Sequence, residues 1–184
     1  MWKYYLEERE SERLIIRPLI GSDNLALQEF IMDEQATRFF PDDWKLSPEK
    51  SAEWIDLQLK RYEENRYGLQ ALIEKKSGEF AGLCGLLTQS VDGIDELEIG
   101  YHLIPRFWGN GYATEAAVFF KILGFENDLA KSLISLIDKE NIPSQKVAQR
   151  NGMTREGETL YMGMKVFIYR IQREEYKRAA LIRK

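Results

Sequence analysis

Residues 96–115, ELEIGYHLIPRFWGNGYATE, read as a strand, a tight glycine loop and the start of a helix. From Glu96 to Ile104 the apolar residues Leu97, Ile99, Tyr101 and Leu103 alternate with Glu96, Glu98, Gly100 and His102. That is the period of two of a strand with one buried face. Pro105 ends it, because proline brings no N–H to continue a ladder. In the loop from Arg106 to Gly111, the glycines Gly109 and Gly111 let the backbone turn tightly and come close to a ligand. The run from Tyr112 onward is built of helix formers with apolar residues every three to four positions. A helix that begins at such a loop presents unpaired N–H groups and the positive end of its dipole, which together suit a phosphate group.

Three phosphate loops compete for this pattern. A Walker loop ends in Gly-Lys-Ser/Thr, and this one ends in Gly-Tyr-Ala. A dinucleotide loop needs Gly or Ala three residues after Gly111, where Thr114 stands. Arg106-x-x-Gly109-x-Gly111 instead resembles the acyl-CoA pyrophosphate loop of the GNAT N-acetyltransferase superfamily, R/Q-x-x-G-x-G/A. The wider string, Glu98 to Tyr101 with Pro105 and Trp108 to Ala116, is similar to the ribosomal-protein N-terminal acetyltransferase (RimJ/RimL-type) branch. There E-I-G-Y followed by P-x-x-W-G-x-G-Y-A-T-E-A is typical. A glycine turn that joins strand to helix without a ligand is the alternative.

Outward from this stretch, 184 residues amount to about one domain, and the whole chain, 1–184, is expected to be one. A hydrophobic share of 44% and a charged share of 30% describe an ordinary soluble globule. A net charge of −4 without a basic stripe argues against nucleic acid as a partner. The single Cys84 forms no internal disulfide, and one histidine excludes a multi-histidine metal site, so no metal is expected. With no charged-then-apolar leader and no apolar run of membrane length, the chain reads as cytoplasmic and away from membranes.

Along the chain, Glu12–Leu19 is a first strand, and Ser22 or Asp23 caps a helix reaching about Thr37. Ser47-Pro48 opens a second helix to about Asn65. Tyr67–Glu74 and Phe80–Gln89 are strands joined by a turn at Gly78, and a second turn over Val91–Ile94 leads to the central strand. After the helix from Tyr112 come a strand over Ser132–Ile137, a short helix from Ser144 to about Arg150, a hairpin from Gly157–Met162 and Val166–Gln172, and a terminal helix over Glu174–Ile182. The order of Met1–Glu10 is left open. The sum is one α/β unit with a mixed, largely antiparallel sheet.

Two further phrases carry the resemblance across roughly Ser11 to Tyr176. Ser11-Glu-Arg-Leu with Arg17-Pro-Leu is similar to the opening of the same branch. Asn141, Ser144, Val147, Gly152 and Met153 match the GNAT signature that follows the cofactor helix, with Met153 where Phe is usual. One departure matters: where many members carry a tyrosine that protonates the leaving thiolate, Ala148 stands. Ser144 is then the nearest candidate acid by spacing, and a helix cap is its other reading.

The resemblance implies a GNAT fold splayed at an acyl-CoA cleft, acetyl-CoA as co-substrate and an amine acceptor, in a monomer or homodimer. Backbone amides over Trp108, Gly109, Asn110, Gly111, Tyr112, Ala113 and Thr114 would hold the pyrophosphate, with Arg106 and Thr114 as side-chain candidates. Leu103 marks the splay and Asn141 lies in the second motif. Glu98 is the candidate general base, its other reading a carboxylate paired to an arginine across the sheet. Lone His102 reads as a packing residue, and Cys84 as core. For the acceptor, the Arg38–Trp44 loop, with Phe39, Phe40 and Trp44, and the hairpin around Tyr161–Met164 are candidates; those aromatics equally fit a cover over the core. The acceptor implied is a peptide N-terminal α-amine. A polyamine, an amino acid, an antibiotic amine, or an acyl-CoA-binding protein without turnover are the alternatives.

Overall fold

In the computed structural model, which describes residues 2–44 and 46–182, eight strands make one sheet. In chain order they are β1 (Arg9–Glu10), β2 (Leu14–Arg17), β3 (Tyr67–Glu74), β4 (Phe80–Val91), β5 (Ile94–Leu103), β6 (Ser132–Asp138), β7 (Thr154–Tyr161) and β8 (Met164–Gln172). Their order across the sheet is β1-β2-β3-β4-β5-β6-β8-β7. Every neighbour pair is antiparallel except β5 and β6, which run parallel. The helices are α1 (Asn24–Ile31), α2 (Pro48–Glu63), α3 (Tyr112–Glu126), α4 (Ile142–Arg150) and α5 (Arg173–Ile182). The mixed, mostly antiparallel α/β architecture expected from the sequence is the one observed.

The two faces of β5 identify the two layers. On one, His102 lies against the rings of Phe30 on α1 and Trp54 on α2. On the other, the Tyr101 hydroxyl donates to the Ser144 carbonyl on α4 at 2.9 Å. Between the layers Leu83, Leu86, Phe120 and Leu133 have no exposed surface. Each such side chain contributes about 1.5–3 kcal/mol by leaving water. Leu97, Glu98, Ile99 and Gly100 are all buried, so the middle of β5 has two covered faces rather than the single one its alternation predicts. Helices on both sides of the sheet are the reason.

The first ten residues, whose order the sequence left open, include a core residue. Tyr5 is 1% exposed; its hydroxyl donates to the Gly68 carbonyl at 2.7 Å and accepts the Leu86 N–H at 2.9 Å. Helix α1 is shorter than expected. Asp23 does not cap it, because its carboxylate holds Arg17 at 2.8 Å and the Ile20 N–H at 2.9 Å. Beyond Ile31, Asp33 Oδ1 takes the N–H groups of Gln35 and Ala36, at 2.9 Å each, and starts a separate turn. Met1, within the first stretch, and Lys45, Arg183 and Lys184 lie outside the described residues.

Candidate active site

The glycine loop lies between β5 and α3. Gly109 and Gly111 have φ of 78° and 82°, the left-handed region that glycine enters without penalty. The Asn110 side chain donates to the Phe107 and Trp108 carbonyls at 3.2 and 3.3 Å and so shapes the loop from within. The first bond of α3 runs from the Glu115 N–H to the Gly111 carbonyl at 3.0 Å. The N–H groups of residues 109–114 find no acceptor among the described residues. Six successive open donors with the helix dipole behind them are a donor set that suits an anion.

Two expected loop residues do otherwise. The Trp108 N–H donates to the Pro105 carbonyl at 2.9 Å, and its indole N–H to the Leu103 carbonyl at 2.6 Å. The open row therefore begins at Gly109. Arg106 pairs with Glu29 and, at 3.4 Å, with Glu79, so its charge is matched by two carboxylates outside the loop. Tyr112 is buried, its hydroxyl donating to Glu74, which leaves only its backbone for the loop. The Thr114 hydroxyl has no partner among the described residues.

Beside the loop the sheet opens. Strands β5 and β6 share a single ladder position, Glu98 with Ile134, and part beyond it, five residues ahead of Leu103. Side chains replace the missing ladder there. The Ser135 hydroxyl donates to the Ile99 carbonyl at 2.8 Å, and Glu98 accepts the Leu136 N–H at 3.2 Å and the Gln89 amide at 2.8 Å. Burial pushes the Glu98 carboxyl above its ordinary value; the two hydrogen bonds and the charge of Arg61 pull the other way without cancelling it. No arginine forms an ion pair with Glu98 among the described residues, so the cross-sheet pairing reading does not hold. At the far side of the gap Asn141 caps α4, its side chain accepting the Ser144 N–H at 3.2 Å. Ser144 sits inside the first turn rather than at the cap.

A strand pair that parts at a buried carboxylate thus lies next to a row of open amides. The acetyltransferase (GNAT) domain model matches residues 13–154. The chain belongs to the GNAT acetyltransferase family. It is 37% identical over 106 residues to the uncharacterised protein YkkB of Bacillus subtilis, a match covering 56% of this chain and 60% of YkkB. It is 27% identical over 151 residues to the uncharacterised N-acetyltransferase YoaA of the same organism, covering 80% of this chain and 83% of YoaA. Among solved structures, a GNAT-family acetyltransferase from Bacillus anthracis superposes with a TM-score of 0.75 at 23% identity, over 91% of this chain and 99% of that one. Mycobacterium smegmatis RimJ in complex with CoA-disulfide gives 0.72 at 19% identity, over 88% of this chain and 83% of that one. The protein is thus an acyltransferase with the GNAT fold, and RimJ/RimL-type enzymes are among its structural neighbours.

Against the GNAT pattern, Ala148 is fully buried, which leaves the position of the usual tyrosine filled by core. His102 is caged by Phe30, Phe40 and Trp54 at ring distances of 5.8, 5.3 and 5.0 Å. Burial lowers it to about 4, which suits a packing residue that stays neutral. Trp44 lies 5.9 Å from Trp54. Phe40 and Trp44 therefore cover the core. Phe39 differs: with Arg38 it lines an open groove shared with Asp138, Lys139, Glu140, Met164 and Lys165. The two segments nominated for the acceptor meet there. The hairpin of β7 and β8 also reaches the β4–β5 turn, Thr159 donating to Asp92 at 2.7 Å.

Three residues of the site escaped the sequence reading. Arg13 touches the glycine loop from 97 positions away in the chain. Tyr101 bridges β5 to α4, and Arg61, on α2, reaches the Thr88 carbonyl at 3.4 Å near Glu98. Arg13 stood inside the Ser11-Glu-Arg phrase, but no local pattern says what it meets. Among the described residues no cluster of three or more His, Cys, Asp or Glu forms a metal site, and no helix is long and apolar enough to cross a membrane.

Proposed function

We propose that the protein acetylates the α-amine at the N-terminus of a peptide or protein, using acetyl-CoA. The observation that carries this reading is the open row of N–H groups over residues 109–114 beside the gap between β5 and β6. The residues fit the group: left-handed glycines let the backbone approach a pyrophosphate, and the Thr114 hydroxyl adds one donor. A CoA complex of a structural neighbour supports the same choice.

Bound there, acetyl-CoA would supply a thioester whose carbonyl carbon is open to an amine. The backbone of β5 beyond Glu98, released from the ladder with β6, would offer N–H donors for the charge gathering on that carbonyl oxygen. Glu98 takes the proton of the attacking amine, directly or through one water. Its raised pKa makes it a better match for an amine than an ordinary carboxylate. The departing thiol has a pKa of ~8.5 and needs little help; the Ser144 hydroxyl, in the first turn of α4, is the candidate to give it a proton. Most of the rate comes from holding both partners in line, where positioning contributes roughly 7–11 kcal/mol.

An α-amine has a pKa of ~7.7–8.0 against ~10.4 for a lysine side chain, so it asks less of one buried carboxylate. The groove lined by Phe39 and Met164, with Arg38 and Glu140 paired at 3.6 Å, offers apolar and charged contacts that suit a peptide. The test is a pair of short peptides, one with a free α-amine and blocked lysines, the other the reverse. The first is expected to have the higher kcat/KM for thiol release. A higher value for the second refutes the α-amine assignment. Turnover of only a polyamine or an aminoglycoside moves the acceptor to small molecules.

A further inference from the structure

The turn that joins β1 to β2 clasps the glycine loop. Arg13 Nε and Nη2 both lie 2.7 Å from Glu115 Oε2, and Nη1 donates to the Asn110 carbonyl at 2.8 Å. Glu115 Oε1 accepts the Ser11 hydroxyl and the Arg13 N–H, each at 2.7 Å. The guanidinium also covers the Tyr112 ring at 4.7 Å, and a Cβ on Gly111 would come within 3.5 Å of Nη2. All three nitrogens of the side chain are thus engaged on the loop and on the first turn of α3.

In a planar trans peptide the carbonyl of residue 110 and the N–H of residue 111 point in opposite directions. Holding the Asn110 oxygen against Arg13 therefore turns the Gly111 N–H to the other side of the loop, toward the open row. Glu115 in the first turn favours the helix dipole but repels an anion bound at that end. Burial favours its protonation, yet the bonds from Ser11 and Arg13 outweigh this and keep it ionised, so Arg13 supplies the compensating charge.

We propose that Arg13 is a positioning residue for the phosphate end of the co-substrate, acting through the Asn110–Gly111 peptide and through Glu115. This rests on the reading of residues 109–114 as the CoA phosphate site. The test compares acetyl-CoA with S-acetyl-N-acetylcysteamine, which carries the same thioester without phosphates, and measures CoA affinity by calorimetry. Arg13→Gln is expected to weaken CoA and raise the KM for acetyl-CoA about tenfold. It is expected to leave kcat at saturation and kcat/KM for the short thioester within twofold. Arg13→Lys regains part of the affinity, because a lysine neutralises Glu115 but lacks the fork that also holds Asn110. Ser11→Ala, which removes one bond to Glu115, shifts CoA affinity in the same direction by less, and carries the test if Arg13→Gln does not fold. Equal losses on both thioesters, or an unchanged CoA affinity in folded variants, overturn the proposal. Wild-type protein that binds no CoA instead overturns the phosphate-site reading, a result seen before any substitution is made.

Discussion

Glu98 accepts the Leu136 backbone N–H at 3.2 Å across the point where β5 and β6 separate. Leu136 thereby keeps a hydrogen bond although its strand has left the ladder, and a carboxylate is fixed at the apex of the gap. With Ser135 bonded to Ile99 in the same way, the opening is a built feature of the sheet rather than a frayed edge.

If Glu98 moves the proton, Glu98→Gln lowers kcat/KM by roughly 10²–10⁴-fold. Wild-type activity should fall as pH drops through the raised pKa of this carboxyl, and the variant should lack that acid limb. The stability sign is opposite. A raised folded-state pKa means that the contribution of Glu98 is complete below the ordinary carboxylate range and is lost as pH rises through the raised value. Rate–pH profiles for both proteins check the first point, and thermal melts against pH the second.

His102 gives a second pH dependence with the other sign. Its folded-state pKa is lowered to about 4, so the stability gained by burying it neutral is present above its ordinary value of 6.5 and is lost as pH falls from there toward 4. His102→Phe keeps an aromatic ring among Phe30, Phe40 and Trp54. The gap in Tm between wild type and variant should widen against the wild type from pH 7 to pH 4.5. A constant gap over that range contradicts a histidine held neutral among these rings.

What could be read from the sequence was local. The strand from Tyr67 to Glu74, the loop at Gly109 and Gly111 and the helix from Tyr112 all follow from period, proline and glycine. The burial of Tyr5 was not legible, since its partners Gly68 and Leu86 are 63 and 81 positions away. Nor was the direction of Arg106, which depends on Glu29 and Glu79 arriving from α1 and the β3–β4 turn. Glu98 was found through its motif, but its partners were not: a strand pattern shows which face a residue takes and says nothing of where the neighbouring strand departs.

Asn141 and Ser144 divide two tasks that the sequence left joined. Asn141→Ala removes the cap of α4 and should cost about 1 kcal/mol in stability. Ser144→Ala should leave the melting temperature within error. It should lower kcat by less than about tenfold, because a thiol of pKa near ~8.5 leaves readily without an acid. Chemical denaturation and steady-state rates on the two variants separate the roles. A large stability loss for Ser144→Ala would return the cap to that residue.

The amide row of residues 109–114 is tested most directly by calorimetric titration with CoA. Wild-type protein should bind CoA at one site per chain. Gly111→Val, which forces a β-branched residue into a φ of 82° and sets its Cβ against Arg13 Nη2, distorts the amide row; it should fold by circular dichroism and show no binding heat. A wild-type protein that binds no CoA, or a folded Gly111→Val that binds it as tightly as wild type, contradicts the account.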